Sequence, residues 1–328
     1  MATGVTRKTE IGSVDGTPDK RLYWSIISDY DLRSGLCELI DNALGLWMLE
    51  GKSPGLKVGL RLDAARQMIS VEDNAGGVSD QDLRLLVAPG GSRNSPQASI
   101  IGVFGVGSKR ASVALGEQVS IRTRHKRQRS FQIDISKEWL VSGDWEIASY
   151  EIPDLQPSTT RVDITELRQP FTDDDVTELK GHLGEVYSWF IAQGCAISVN
   201  GTPIVSKTFD HWGYPAKYPP RIAKMTLAVD GVGDVEVSVT GGLIIDRDPQ
   251  AENYGVYFYC NRRLIVKELR SRDVGYLVTS EAGVPHPDAS LARVIVEMEG
   301  PARAMPWNSS MSAINTSHPA FQQLRPAE

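Results

Sequence analysis

Leu36, Ile40, Ala43 and Trp47 recur at helical spacing, and this stripe predicts an amphipathic helix from about Ser34 to Glu50, entered through the polar break Asp29–Arg33. Glu38, Asn42 and Gly45 fall at i, i+4 and i+7 on another face, with Asp41 beside it. Two readings of that face stand: the acidic outer side of an ordinary helix, or a buried site whose carboxylates need a ligand, a metal or water. A shorter helix is expected over Arg21–Ser28, after a polar, loose arm that reads as a disordered terminus.

Beyond Gly51–Gly55 the period changes from helical to alternating. Val58, Leu60 and Leu62, then Met68–Glu72, predict a strand pair, followed by a short helix from Ser79 to Val87. Pro89–Ser99, rich in Gly, Ser, Asn and Pro, predicts a loop, and Ile101–Lys109 opens a helix that runs through Leu115. Strands are expected at Gln118–Arg124, Ser130–Ile135, Trp145–Ile152 and Thr160–Leu167, and a helix over Thr172–Phe190 with an acidic first turn. Short strands and turns then dominate: Ala196–Val199, the Asn200-Gly201 turn, Thr202–Val205, Lys224–Val229, Val235–Leu243, Gly255–Cys260, Arg263–Lys267 and Arg293–Met298. This shift places a domain boundary near Gln169–Thr172, with an arm over 1–20, a first domain over 21–170 and a second over 171–328.

Composition narrows the class. The 328 residues, 41% hydrophobic and 23% charged, suit a globular protein of about two domains. A net charge of -6 argues against a protein that coats nucleic acid wholesale, although a local basic patch remains open. No apolar run approaches a membrane span and no signal-peptide core is present, so no membrane partner is expected. The three widely separated cysteines, Cys37, Cys195 and Cys260, form no disulfide framework, and a reducing cytoplasmic location is expected.

Candidate chemistry sits at two glycine clusters. Asp73-Asn74-Ala75-Gly76-Gly77 ends a strand, where a fixed carboxylate can accept from an exocyclic amine such as that of adenine and glycines let backbone approach a ligand. Read alone, it is equally a surface turn. Gly102, Gly105 and Gly107 precede a helix, a natural anion site with Lys109 in support. A Walker loop requires Gly-Lys-Ser/Thr, but here Ser108 precedes Lys109; the Rossmann order G-x-G-x-x-G is reversed to G-x-x-G-x-G. No metalloprotease H-E-x-x-H pattern is present, and no hydrolase elbow: Gly51-Lys52-Ser53-Pro54-Gly55 has the G-x-S-x-G spacing but reads as a turn after a helix, not as a strand-to-helix corner.

The ordered triple of Glu38-x-x-Asp41-Asn42, Asp73-x-x-Gly76-Gly77 and Gly102-x-Phe104-Gly105-x-Gly107 resembles the GHKL superfamily of gyrase, large heat-shock chaperones, histidine kinases and MutL. Thr159–Ile164 is similar to the strand whose threonine lies beside the adenine-binding aspartate. The resemblance implies an α+β chain: a Bergerat-type α/β sandwich ATPase domain followed by a strand-rich, transducer-like α/β domain. It implies ATP and Mg²⁺ as ligands, with Asn42 on the metal and Glu38 activating water. It also implies Asp73, Gly77 and Thr160 at adenine; Gly102, Gly105, Val106, Gly107 and Lys109 at the phosphates; and 90–99 as an ATP lid.

Tyr254–Ile265, ending in Asn261-Arg262-Arg263-Leu264-Ile265, resembles the MORC and MutL branches, although the same residues read as a generic hairpin turn. The branch implies an ATP-gated homodimer clamp, with the arm crossing to the partner and DNA or a separate effector protein as client. Kinship to bacterial MORC-like proteins implies defence or DNA transactions. Relatives present a late-loop lysine to the γ-phosphate, but Met311 occupies the matching place here; loss of one such contact costs about a hundredfold in rate. Lys267 is the alternative cation, and a nucleotide-gated interaction module with negligible hydrolysis is the second reading. Two basic segments, Arg122–Arg129 and Arg262, Arg263, Arg270 with Arg272, read as DNA-phosphate contacts or as solvated loop ends.

Overall fold

The computed structural model describes residues 12–13, 20, 30–88, 100–101, 107–214, 216–244, 253–275, 291–308 and 310–324, with only the helical backbone at 107–110. The helix expected over Arg21–Ser28, the loop 90–99, Gly102, Gly105 and Val106 lie outside these residues, as does the Lys109 side chain.

Helix α1 spans Leu32–Leu49. Asp31 caps it, accepting from the Ser34 amide at 2.7 Å, while Ser34 Oγ accepts from the Asp31 amide at 3.0 Å. That reciprocal pair satisfies two helix-end donors and starts the helix two residues before Ser34. The predicted stripe is the buried one: Leu36 and Ile40 are fully inaccessible, with Ala43 and Trp47 beside them.

Strands β1 (Lys57–Asp63) and β2 (Met68–Asp73) form an antiparallel pair, followed by a 3-10 turn over Asp80–Leu86. Next come α2 (Gly107–Leu115), β3 (Gly116–Arg124), β4 (Ser130–Ile135), α3 (Lys137–Val141), β5 (Ser149–Ile152) and β6 (Thr159–Leu167). The predicted helix over Thr172–Phe190 is two, α4 (Asp173–Val186) and α5 (Ser188–Ala192), broken at Tyr187, where φ is -107° and ψ 19°. Strands β7 (Ala196–Val199) and β8 (Thr202–Pro203) flank a tight turn with Asn200 and Gly201 both at positive φ.

These strands form one eight-stranded sheet in the order β5-β4-β3-β6-β2-β1-β7-β8, antiparallel except for the β1–β7 pair. One face buries Val58, Leu60, Ile69, Val71, Ile121 and Ile164 in the same core as Leu36, Ile40 and Leu44 of α1. The other carries a charge ladder: Glu72, Arg161, Arg122 and Gln132 stand opposite one another across β2, β6, β3 and β4.

The sheets divide later than the boundary expected at 169–172. The apolar face of α4 (Val176, Leu179, Leu183) lies in one continuous core that also takes in Val235, Val256 and Val296 of the second sheet, and β7 extends the first sheet at its β1 edge. The second sheet begins with β9 (Arg221–Val229) and adds β10 (Gly233–Leu243), β11 (Gly255–Cys260), β12 (Arg263–Leu269) and β13 (Ala292–Glu299), in the order β12-β11-β13-β10-β9. A last helix, α6, covers Pro319–Leu324. No helix among the described residues is long and apolar enough to cross a membrane. All three cysteines are free and buried, and burial pushes the Cys37 thiol up to about 12.

Candidate functional site

Sheet register brings three polar residues into one row. Asp73, the last residue of β2, stands opposite Thr160 of β6, which stands opposite Thr123 of β3. Thr123 Oγ1 lies 3.2 Å from Thr160 Oγ1 and accepts from the Val78 amide at 2.8 Å. Asp73 accepts from the Ala75 amide at 2.9 Å, which curls the chain after the strand into the Gly76-Gly77 turn. Burial pushes the half-buried Asp73 carboxyl up to about 7, with the Ala75 amide opposing and Glu72 adding to the rise.

The glycines of this turn are there for space. Gly77 has φ +67°, and a Cβ on it would collide with the Arg124 carbonyl. Gly76 lies against α1, where a Cβ would sit 3.3 Å from Leu46 and 3.7 Å from Glu50. His125 Nδ1 is 3.1 Å from the Gly76 carbonyl, so the β3–β4 hairpin tip braces the turn from the far side.

The carboxyl- and amide-bearing face of α1 is inside the protein. Glu38 is 2% exposed and Asp41 fully buried, which excludes an ordinary acidic outer face. Asn42 Nδ2 donates to the Glu38 carbonyl at 2.5 Å, leaving Oδ1 as the group available to a ligand. Asp41 does not need a ligand. Arg263 Nε lies 2.9 Å from both of its oxygens, and the Tyr187 hydroxyl, 2.9 Å from both Asp41 Oδ1 and the Cys37 carbonyl, shares its proton between them. Burial works against the Arg263 charge, but the adjoining Asp41 carboxylate, Tyr187 and Cys37 together outweigh it and raise the pKa.

Of the residues expected at a nucleotide, Asp73, Thr160 and Gly77 gather at the end of the β2–β6 pair, and Glu38 with Asn42 on α1. Gly107 opens α2, whose last residue, Leu115, lies against Gly35 of α1, where a Cβ would sit 2.9 Å from it. Thr123, His125 and Tyr187 were given no site role by the sequence, and Arg263 was placed in a basic surface segment and a hairpin turn, not beside Asp41. For Thr123 the available signal was its place on the same face of β3 as Ile121; for Arg263 there was none, because its partner lies 222 positions away.

Several arginines of the two basic segments are paired within the chain, while Lys126 and Arg127 at the hairpin tip and Arg272 in the second group are exposed. Arg122 pairs with Asp163 at 3.3 Å, Arg124 with Asp154 at 2.6 Å, and Arg129 with Glu151 at 3.0 Å and Asp80 at 3.4 Å. In the second group Arg263 is buried on Asp41, Arg262 pairs with Glu299 and stacks 5.2 Å from the Trp189 ring centre, and Arg270 lies 4.4 Å from that of Tyr254. Lys267 is bound to Glu185 at 2.8 Å. Met311 is 2% exposed in the core, and its carbonyl accepts from Arg263 at 2.5 Å. From the arm, Lys20 packs 3.6 Å from the Trp139 ring centre of its own chain and donates to the Trp139 carbonyl at 2.6 Å.

No curated protein matches the chain. Residues 30–167, from the Tyr30 that precedes the α1 cap to the last residue of β6, match the family of histidine kinase-, DNA gyrase B-, and HSP90-like ATPases. That stretch takes in α1, the Asp73–Gly77 turn and Thr160, and the match supports a GHKL superfamily ATPase domain there.

Proposed function

We propose that the chain binds ATP with Mg²⁺ and hydrolyses it slowly, and that nucleotide occupancy gates closure of a homodimer. The observation that carries this reading is the Asp73–Thr160–Thr123 row ending at the Gly76-Gly77 turn, where Gly77 leaves no room for a Cβ and Gly76 packs against Leu46 of α1, the helix that carries Glu38 and Asn42. A half-buried carboxyl with one backbone donor, edged by a threonine hydroxyl, has the chemistry to take the adenine amine.

The donor set suits the metal. Mg²⁺ keeps most of its waters and needs few protein oxygens beside those of the phosphates, so Asn42 Oδ1 can serve alone. Bound there, the ion would neutralise charge on the phosphate oxygens. Glu38, one helical turn from Asn42, orients water and accepts its proton; Gly102, Gly105, Val106, Gly107 and Lys109 hold the phosphates through the start of α2. On this reading 90–99 closes over the nucleotide, and the second sheet acts as a transducer-like, MORC- or MutL-like element that passes closure to a DNA or protein client.

A second reading, a nucleotide-gated interaction module with negligible turnover, is favoured by Met311. A thioether there compensates no phosphate charge, and Lys267 is engaged with Glu185. Phosphate release by the wild type, Glu38→Ala and Met311→Lys separates the two. The ATPase reading expects turnover that Glu38→Ala abolishes with nucleotide still bound; a rise of about tenfold or more only in Met311→Lys favours the module. Sizing with a non-hydrolysable ATP analogue tests the dimer, and a monomer at every nucleotide concentration counts against it.

A further inference from the structure

The turn between β11 and β12 joins Cys260 to Arg263 through Asn261 and Arg262, at φ +47° and +72°. It is a two-residue hairpin of the kind that favours Asn-Gly, so Arg262 holds a conformation that side chains other than glycine and asparagine rarely adopt. Each of its residues contacts something outside the hairpin. Asn261 Nδ2 donates to the Ile100 carbonyl at 3.2 Å, while its Oδ1 accepts from the Gly300 amide at 3.1 Å. Arg262 stacks on Trp189 of α5. Arg263 reaches Asp41 in the middle of α1.

Asp41 follows Glu38 by three residues and directly precedes Asn42. Whatever fixes the rotation of α1 at Asp41 therefore fixes where those two side chains are held. A rotation of about 10° moves a carboxylate carried roughly 6 Å from a helix axis by about 1 Å. A displacement of that size costs on the order of a hundredfold in rate. On the side of Asp41 that rotation is held by a guanidinium from the other sheet, itself tied to the Met311 carbonyl, and by the Tyr187 hydroxyl at the α4–α5 break, in addition to the buried apolar stripe.

We propose that Arg263 is a positioning residue of the nucleotide site: carried by the second sheet, it sets the rotation of α1 and thereby couples that sheet to Glu38 and Asn42. The inference rests on the ATP-site reading above. It makes the second sheet part of the catalytic apparatus, because a strain that displaces the β11–β12 turn is passed through Asp41 to the helix that carries Glu38 and Asn42.

The test compares Arg263→Lys, which keeps the charge but not the guanidinium geometry, with Val237→Ala, a truncation in the buried part of β10, which β13 separates from the β11–β12 hairpin. Melting temperature, kcat and KM for ATP, and hydrogen exchange of α1 peptides are measured on the full chain. Arg263→Lys is expected to lose at least tenfold in kcat with KM within about threefold, and to speed exchange in α1; Val237→Ala is expected to do neither. Wild-type kcat in Arg263→Lys, or equal kcat loss in the two variants, overturns the proposal. If the wild type neither binds nor turns over ATP, the ATP reading has failed and exchange alone decides: faster α1 exchange confined to Arg263→Lys supports the coupling, and equal exchange overturns it.

Discussion

Gly77 and Arg124 are in backbone contact: at φ +67° the glycine leaves no room for a Cβ in front of the Arg124 carbonyl. The contact holds the turn after Asp73 against the β3–β4 hairpin, and His125 completes it at the Gly76 carbonyl. Gly77→Ala meets both a left-handed backbone and a collision with a carbonyl in a paired strand, and a loss of at least about 2 kcal/mol in unfolding free energy is expected, with nucleotide binding lost alongside. Gly143→Ala, where a Cβ meets nothing within 4 Å, should stay within about 0.5 kcal/mol of wild type. Urea titration of the two variants checks the contrast.

Asp73 makes a prediction in pH. Its carboxyl titrates near 7 in the folded protein, chiefly because burial disfavours the charge, against about 3.9 in an unfolded chain. Between those values the folded state holds a proton that the unfolded state has released. The stabilising contribution is therefore full below about pH 4, declines as pH rises toward 7 and is level above it. Asp73→Asn should remove that decline, so its stability relative to wild type rises across the interval. Denaturant midpoints from pH 4 to 8 measure it, and parallel profiles would show that Asp73 titrates normally.

The Asp41–Arg263 pair predicts an asymmetry between single and double variants. Asp41→Leu strands a buried guanidinium and should cost about 3–5 kcal/mol. Combining it with Arg263→Met removes both charges and should recover most of the loss. Tyr187→Phe, which removes one hydroxyl donor, should cost about 1–2 kcal/mol. A double variant no better than Asp41→Leu alone would mean that packing, not the charge pair, sets the stability at this point.

Local signals made much of the first unit legible. The α1 stripe, the β1 and β2 alternation, the start of α2 and the Asn200-Gly201 turn each depend on neighbours a few positions apart, and the structure has them where the pattern puts them. The division between sheets was not legible: β7 looks like the other short strands that follow it, and only its parallel pairing with β1, about 140 positions away, assigns it to the first sheet. Asp41 shows the same limit at the site. Its burial suggested a missing ligand, whereas its counter-charge comes from Arg263, which a reading of local composition assigns to a surface patch. The arm carries a third case, because Lys20 packs on Trp139 and Trp145, residues that offer no short-range cue.

The central claim, that this site recognises adenine in ATP, is tested most directly by equilibrium titration calorimetry of the full chain with Mg²⁺-ATP and Mg²⁺-GTP, for wild type and Asp73→Ala. At pH 8, where the Asp73 carboxyl is ionised, the account predicts saturable ATP binding by the wild type, GTP binding at least tenfold weaker because a guanine carbonyl would face the carboxylate, and loss of ATP binding in Asp73→Ala by about tenfold or more. ATP and GTP binding alike, or ATP affinity unchanged in Asp73→Ala, would contradict it.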